Sequence, residues 1–255
     1  MRYFLCLSYD GTDFCGWQIQ PASPSVQACL EATLSRLLNR PVAVTGAGRT
    51  DTGVHAVNYV AHFDWDGFLP FEASDFIYKL NAMLPHGIAI LSVSPVADDL
   101  HARFSARRRE YTYFIHRQKD PFVRAYSWLC GYPSLDFDAM NQACNLLLGT
   151  HDFSCFEKTG GDNKTSICTV FDAYWKPYVP SHVQIMGGEG NYWYFRIAAD
   201  RFLRNMVRAT VGSLIEVGRG KHAPEWIAEL IASGTRSDAG ESVPGHALFL
   251  NKVEY

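Results

Sequence analysis

The sequence predicts an α+β protein with two similar lobes. Stretches of alternating apolar and polar residues, typical of strands, are followed by stretches with helical periodicity, and this order occurs twice along the chain. A polar, basic stretch at residues 104–110 separates the two occurrences, so the expected lobes are residues 1–104 and 105–255. Each lobe should contain a mixed or antiparallel sheet with helices on one face.

The first lobe is expected to begin with a strand that ends in a Tyr-Asp-Gly turn. Ser25 stands where it caps the helix that follows, and Pro85 ends the last helix of the lobe. The stretches predicted, in order, as strand, helix, short strand, strand and helix are YFLCLSYDG, SVQACLEATLSRLLNR, VAVTGAG, AVNYVAHFDW and ASDFIYKLNAMLP.

The second lobe is expected to repeat this plan. Gly149 and Gly218 each stand where a helix stops. The predicted strands are REYTYFIHR, TVFDAYW, NYWYFRIAAD and ALFLNKVEY, and the predicted helices are DFDAMNQACNLLLGTHDF, RNMVRATVGSLIEVGRG and PEWIAELIASG.

Composition sets limits on function. The net charge of −3 gives no global attraction to nucleic acid, so any RNA-binding charge must be local. The seven cysteines are scattered without a C-x-x-C pair, which indicates reduced thiols rather than a disulfide or metal framework. The first apolar run is too short for a signal sequence, and no run of about 20 apolar residues follows. We therefore expect a cytoplasmic protein with no membrane partner.

The stretch GAGRTDTG, residues 46–53, contains a carboxylate, Asp51, in a loop otherwise suited to an anion. A dinucleotide loop would need glycine at position 51 and a helix next, and an alternating strand follows instead. On spacing alone, the commoner role of such an aspartate is to form a turn or cap a loop. His55 and His62 lie on opposite sides of the strand's alternation, which favours structural histidines over metal ligands.

The helix in RFLRNMVRATVGSLIEV carries two arginines at the edge of its apolar stripe. We expect Arg204, near the helix start, to extend into solvent. A guanidinium turned toward the buried side is costly without a carboxylate, so we expect Arg208 to have an anionic partner, and Asp51 is the available loop carboxylate. Gly212, one turn later, leaves room for an approaching group. Such a pair would keep the Asp51 carboxylate charged, as a nucleophile or base requires.

The stretch HARFSARRREYTYF combines positive charge with aromatic rings. Its arginines lead directly into a strand with Tyr111 and Tyr113 on one side. A charge run is usually a solvated face, but arginines beside aromatic rings are also how unpaired nucleic acid is bound. The stretches RFLR and GRGKH add further positive clusters, and together these features favour an RNA partner. The arginines of the first stretch are Arg103, Arg107, Arg108 and Arg109.

Along nearly its whole length the chain resembles the TruA-type tRNA pseudouridine synthases. The similar stretches are YDGTDFCGWQIQP with SVQ, GAGRTDTGVHA, HARFSARRREYTYFI, GTHDFSCF, FLRNMVRATVGSLIEVG and HALFLNKVEY. The resemblance implies isomerisation of uridine to pseudouridine at positions 38 to 40 of the tRNA anticodon stem-loop. It also implies the pseudouridine synthase fold, with two lobes flanking a central cationic cleft, a homodimer, and no cofactor or metal. The alternative is a non-catalytic RNA-binding protein of the same fold.

The resemblance also implies roles for single residues. Asp51 takes the place of the family's essential aspartate and Arg208 that of the arginine paired with it. Arg49 matches the arginine that enters the stem and helps to displace the target base, and Tyr111 matches the tyrosine that stacks on it. Two positions depart from the family pattern: Thr52 replaces an alanine, and Cys168 stands where an arginine is expected. The arginines expected to bind RNA are Arg103, Arg107, Arg108 and Arg204.

Overall fold

A computed structural model of the chain describes residues 1–160 and 164–255. These residues form two compact units, one of residues 1–107 with 249–255 and one of residues 108–248. The C-terminal segment, assigned to the second lobe from the sequence, is thus grouped with the first unit, because Phe249 and Leu250 pair in parallel with His55 and Ala56.

Strands and helices alternate through both units. In chain order the elements are β1 (Arg2–Tyr9), α1 (Val26–Leu38), β2 (Thr45–Gly46), β3 (His55–Asp64), α2 (Ala73–Met83), β4 (Ile88–Val96), β5 (Arg108–His116), β6 (Trp128–Leu129), α3 (Phe137–Asn145), β7 (Gly149–Asp152), β8 (Ile167–Pro177), α4 (Ser181–Met186), β9 (Tyr192–Ala199), α5 (Met206–Gly218), α6 (Trp226–Ser233) and β10 (Leu248–Glu254). Among the described residues, none of these helices has the length and apolar character needed to cross a bilayer.

The first unit is built on a sheet with the order β4-β1-β3-β10, and β2 also pairs with β3. β1 is antiparallel to both of its neighbours, and every second side chain along it is buried, which matches its alternating sequence. The predicted cap of α1 is confirmed: the Ser25 hydroxyl accepts a hydrogen bond from the Ala28 N–H at 3.3 Å. α2 packs against α1 and β4.

The second unit is built on the strand order β5-β9-β8-β7, antiparallel throughout, with β6 added in parallel to β5. α3 packs against β8 and α5, and nearly every side chain of α5 is buried. Both units therefore combine mainly antiparallel strands with helices, and the predicted α+β class is confirmed.

One predicted helix is shorter than its sequence suggests. α3 begins at the predicted place, where Asp136 accepts a hydrogen bond from the Ala139 N–H, but it ends at Asn145. Gly149 has a φ of 101° and begins β7, so the stretch predicted to extend the helix turns away instead. β7 gains its hydrogen bonds from β8, a pairing with no local sequence signal.

Candidate active site

The Asp51 loop, residues 47–54, joins β2 to β3 and is held by two tyrosine hydroxyls. The Tyr59 hydroxyl, from β3, donates to the Gly48 carbonyl and accepts from the Gly48 N–H. The Tyr9 hydroxyl, from β1, lies 2.9 Å from the Thr50 hydroxyl in a buried position. Together they fix the residues on either side of Arg49.

Aromatic packing supports these two hydroxyls. The Trp17 ring stacks on Tyr59 with centroids 4.2 Å apart, and the Tyr9 ring meets Tyr59 edge-on at 5.6 Å. The backbone N–H of Trp17 donates to the Thr50 carbonyl at 3.3 Å. Gly16 is required beside this bond, because it has a φ of 92° and a Cβ there would lie 2.2 Å from the Thr50 carbonyl oxygen.

The loop is also fixed after the carboxylate. The Asp51 carbonyl accepts from the Val54 N–H at 3.1 Å, which closes a turn, and the Gly53 N–H donates to the Phe14 carbonyl at 3.3 Å. Asp51 itself is half-buried. β3 follows at once, so the helix that a dinucleotide loop needs is replaced by a strand. The loop is held both before and after Asp51, and the Cα atom from which the carboxylate side chain extends is therefore fixed.

The two histidines of β3 are structural, as predicted. The buried His55 ring stacks on Phe249 at 4.5 Å, and its Nδ1 accepts from the Gly11 N–H at 3.0 Å. His62 Nδ1 accepts from the Ala102 N–H at 3.1 Å. Burial, followed by the positive charge of Arg2, lowers the pKa of His62 to about 4, which keeps its ring neutral as this bond requires.

In the second unit, β5 presents two tyrosines in different environments. Tyr113 is fully buried, its hydroxyl donates to the Pro244 carbonyl at 2.9 Å, and burial raises its pKa far above the ordinary value. Tyr111 is half-buried, and its ring meets Phe202 edge-to-face at 5.1 Å. Of the two, Tyr111 is the less buried, and its stacking on the target base stays a prediction.

Arg208 lies in the first turn of α5 and is oriented by the segment 240–244. Its Nε donates to the Val243 carbonyl at 2.7 Å, and its own carbonyl accepts from the Val243 N–H at 3.3 Å. Gly212 lets this segment approach the helix, since a Cβ there would lie 1.8 Å from the Glu241 carbonyl oxygen. The room expected beside Gly212 is thus filled by the chain's own backbone, and pairing of Arg208 with Asp51 stays a prediction.

The arginines expected to bind RNA differ in their surroundings. Arg103, Arg107 and Arg204 are exposed. Arg108 is half-buried, and its guanidinium lies 5.5 Å from the Phe171 ring centroid. Arg109, which was not among the expected contacts, donates to the Asp200 carbonyl at 2.8 Å and so has a structural bond.

The two cations of GRGKH share one carboxylate within their own unit. The Glu216 carboxylate binds Arg219 at 2.7 Å and Lys221 at 2.6 Å, and the Arg219 guanidinium also lies 3.9 Å from the Tyr132 ring centroid. These cations, which the sequence analysis added to the RNA-binding charge, therefore have a local partner for one of their two charges. Cys168, at the position of an expected arginine, is fully buried in β8 and so does not contact a phosphate.

Sequence reasoning missed the residues that hold the Asp51 loop. Tyr9 and Trp17 lie inside the stretches Y-D-G and G-W-Q that carried the resemblance, and Tyr59 lies in a stretch predicted only as a strand. No local pattern marks these residues as partners of the loop, because Tyr9 lies 41 residues before Thr50 and meets it only through tertiary packing.

These features describe an α+β protein with an aspartate loop fixed in one unit and a tyrosine and an arginine fixed in the other. A family model described as tRNA pseudouridine synthase matches residues 5–105 and 143–255. The chain belongs to the tRNA pseudouridine synthase family.

Similar full-length proteins support this membership. The chain is 48% identical over 254 residues to "tRNA pseudouridine synthase A" of Bacteroides thetaiotaomicron, covering 100% of this chain and 90% of that protein. It is 46% identical over 258 residues to the protein of the same name from Parabacteroides distasonis, covering 100% and 96%. It is 45% identical over 254 residues to that from Porphyromonas gingivalis, covering 100% and 97%.

Proposed function

We propose that the chain isomerises uridine to pseudouridine in tRNA, at positions 38 to 40 of the anticodon stem-loop. Its similarity over full length to enzymes named for this reaction supports the activity, and the resemblance described from the sequence supports the positions. The observation that carries the proposal is the Asp51 loop, because its carboxylate stands between residues held before it by Tyr59 and Tyr9 and a turn held after it by Val54 and Phe14. A non-catalytic RNA-binding protein has no need of such a fixed carboxylate.

The reaction rearranges one nucleoside without a net change of atoms. The bond between N1 of uracil and C1′ of ribose breaks, the base turns, and C5 bonds to C1′; C5 loses a proton and N1 gains one. Because the base is stacked in the stem-loop, it must first leave the stack. Arg49 occupies the vacated space and Tyr111 stacks on the displaced ring, which offsets part of the cost of about a few kcal/mol.

Asp51 is the reacting group in this proposal. It attacks C1′, adds to the base or removes a proton from the sugar, and each of these routes needs a charged carboxylate shielded from water. Arg208 supplies the counter-charge, and its bond to Val243 sets the direction of the guanidinium. Both side chains extend from a fixed backbone, so little reorganisation is needed when charge develops.

The proposal includes the setting in which the enzyme acts. Arg103, Arg107, Arg108 and Arg204 contact the tRNA backbone, two copies of the chain form a homodimer, and the enzyme works in the cytoplasm. All seven cysteines are free thiols, which suits a reducing compartment.

Release of tritium from tRNA labelled with ³H at C5 of uridine tests the function, since this hydrogen leaves only when C5 bonds to the sugar. Wild type should release label from positions 38 to 40, and Asp51→Asn should release none while binding tRNA normally. Asp66→Asn is the matched control, because Asp66 is an exposed aspartate of the same unit whose partner is Arg40. Release by Asp51→Asn at the wild-type rate would refute the catalytic role, and no release by wild type would refute the function.

A further inference from the structure

A tight turn at residues 101–105, here called the HARF turn, has a backbone fixed by side chains of its own. His101 Nδ1 accepts from the N–H groups of Arg103 at 3.1 Å and Phe104 at 3.3 Å. The Ser105 hydroxyl accepts from the His101 N–H at 2.9 Å, and the Ser105 N–H donates to the His101 carbonyl at 2.9 Å. Four hydrogen bonds therefore hold a five-residue surface turn in one conformation.

The HARF turn is anchored to the core of the first unit. The Ala102 N–H donates to buried His62, and the Ala102 carbonyl accepts from the Tyr255 hydroxyl at 2.7 Å. The His101 ring meets the His62 ring edge-on at 4.7 Å. Burial lowers the pKa of His101, with Arg2 adding to the effect, and this favours the neutral ring whose Nδ1 accepts the two bonds. The turn is a rigid extension of the sheet.

This anchoring leaves an aromatic ring facing solvent. Phe104 is 76% exposed, and its ring lies 4.5 Å from the His101 ring and 5.5 Å from the Arg103 guanidinium carbon, measured between ring centroids and from centroid to carbon. None of the hydrogen bonds in the turn depends on this ring. A fixed apolar face with a cation beside it matches a nucleobase and its phosphate. A protein partner would instead favour a broader apolar patch than one ring among arginines.

The position of the turn excludes contact with the reacting uridine. His62, which holds the turn, lies seven residues along β3 from His55, which adjoins the Asp51 loop. At about 3.3 Å per residue this separates the two ends by roughly 23 Å within one unit. A base on Phe104 therefore belongs to another part of the bound tRNA.

We propose that Phe104 stacks on an unpaired base of the tRNA, remote from the base that reacts, and that Arg103 contacts a phosphate beside it. The inference rests on the proposed function for its choice of ligand. It adds an affinity contact that the chemical step does not use.

Equilibrium binding of full-length unmodified tRNA tests the proposal. Binding is measured at one fixed salt concentration in the Asp51→Asn background, where no turnover occurs. Phe104→Ala and Phe104→Leu should each weaken binding at least about fivefold, as expected for loss of one stacked base, and Phe104→Trp should restore it. Phe68→Ala is the matched control, because Phe68 is 82% exposed in the same unit, and it should leave affinity unchanged. With Asp51 intact, Phe104→Ala should keep the single-turnover rate at saturating tRNA.

Three results would overturn the stacking role. The first is that Phe104→Ala binds tRNA as tightly as its parent. The second is that Phe104→Leu keeps the same affinity as Phe104→Trp, which would indicate apolar packing alone. The third is that Phe104→Ala changes the sedimentation of the free protein, which would assign the ring to a protein interface. If wild type forms pseudouridine and any of these is found, the stacking inference fails and the proposed function stands. If wild type forms no pseudouridine, the proposed function itself fails.

Discussion

Replacing Gly212 by alanine would place a methyl group where the backbone of Glu241 lies. The added Cβ would be 1.8 Å from the Glu241 carbonyl oxygen and 2.9 Å from its carbon, whereas ordinary contacts between heavy atoms are at about 3.5 Å. The obstacle is backbone, and it is held in place because the Gly240 N–H donates to the Ser213 hydroxyl at 2.9 Å. The segment 240–244 must therefore move by more than about 1 Å.

Two opposing effects set the size of the loss. Alanine favours a helix over glycine by about 1 kcal/mol, while overpacking costs about 1–3 kcal/mol and each weakened hydrogen bond about 1 kcal/mol. We expect Gly212→Ala to lower the free energy of unfolding by about 2 kcal/mol. The same shift would move the Val243 carbonyl away from Arg208 Nε, and misplacing a catalytic group by about 1 Å can lower the rate of the chemical step about 100-fold.

Urea denaturation and single-turnover tritium release measure these two effects. Gly218→Ala is the matched control on the same helix: its Cβ would lie 2.4 Å from Met140 Sδ, which belongs to a flexible side chain that can move aside. We expect Gly218→Ala to change stability by less than about 1 kcal/mol and to leave the rate unchanged. Equal stabilities for Gly212→Ala and Gly218→Ala would refute the argument that a fixed backbone makes the difference.

Three further predictions concern hydrogen-bonded or buried groups. Tyr59→Phe should lower the single-turnover rate about 10-fold with unchanged tRNA affinity, because Gly48 loses its hydrogen-bond partner. Tyr3→Phe is the control: it removes another buried hydroxyl of the same unit and should lower stability without changing the rate. Equal rates for the two variants would contradict this prediction. The folded protein holds the pKa of His62 near 4, while the unfolded chain takes up this proton below about 6.5. Between pH 7 and pH 4 the stability of wild type should therefore fall by about 3 kcal/mol more than that of His62→Asn in urea titrations, and equal losses would contradict this. Arg208→Ala should lower the rate at least about 100-fold at saturating tRNA, and an unchanged rate would exclude its pairing with Asp51.

Elements with local signals were predictable from the sequence. The Ser25 cap of α1 lies where its residue type indicates, and α5 ends at Gly218 as predicted, although the left-handed glycine at that end is Gly220. β7 was not predictable, because Gly149–Asp152 becomes a strand only by pairing with residues 167–170 of β8. For the same reason the helical periodicity of residues 137–148 predicted a longer α3 than the one observed, which ends at Asn145.

The candidate site shows the same division between local and distant signals. Its loop is recognisable from consecutive residues, but the groups that fix it are not: Tyr9 lies 41 residues before Thr50. The carbonyl that orients Arg208 lies 35 residues after it, in a segment with no motif of its own. Hydrogen bonds over such separations depend on tertiary packing, which a pattern in one stretch does not contain.

A common physical design links Asp51, Arg208 and the HARF turn. The Asp51 loop is held by hydrogen bonds to Tyr59 and Tyr9, the Arg208 side chain by one to the Val243 carbonyl, and the HARF turn by those to the His101 ring. In the proposed reaction a base detaches, turns and bonds again, and any rearrangement of the protein between these steps would let the detached base escape or water enter. Fixed charges stabilise successive states without reorganising. The contacts around Asp51 and Arg208 should therefore determine how fast bound tRNA reacts, whereas those of the HARF turn should determine how tightly tRNA is bound.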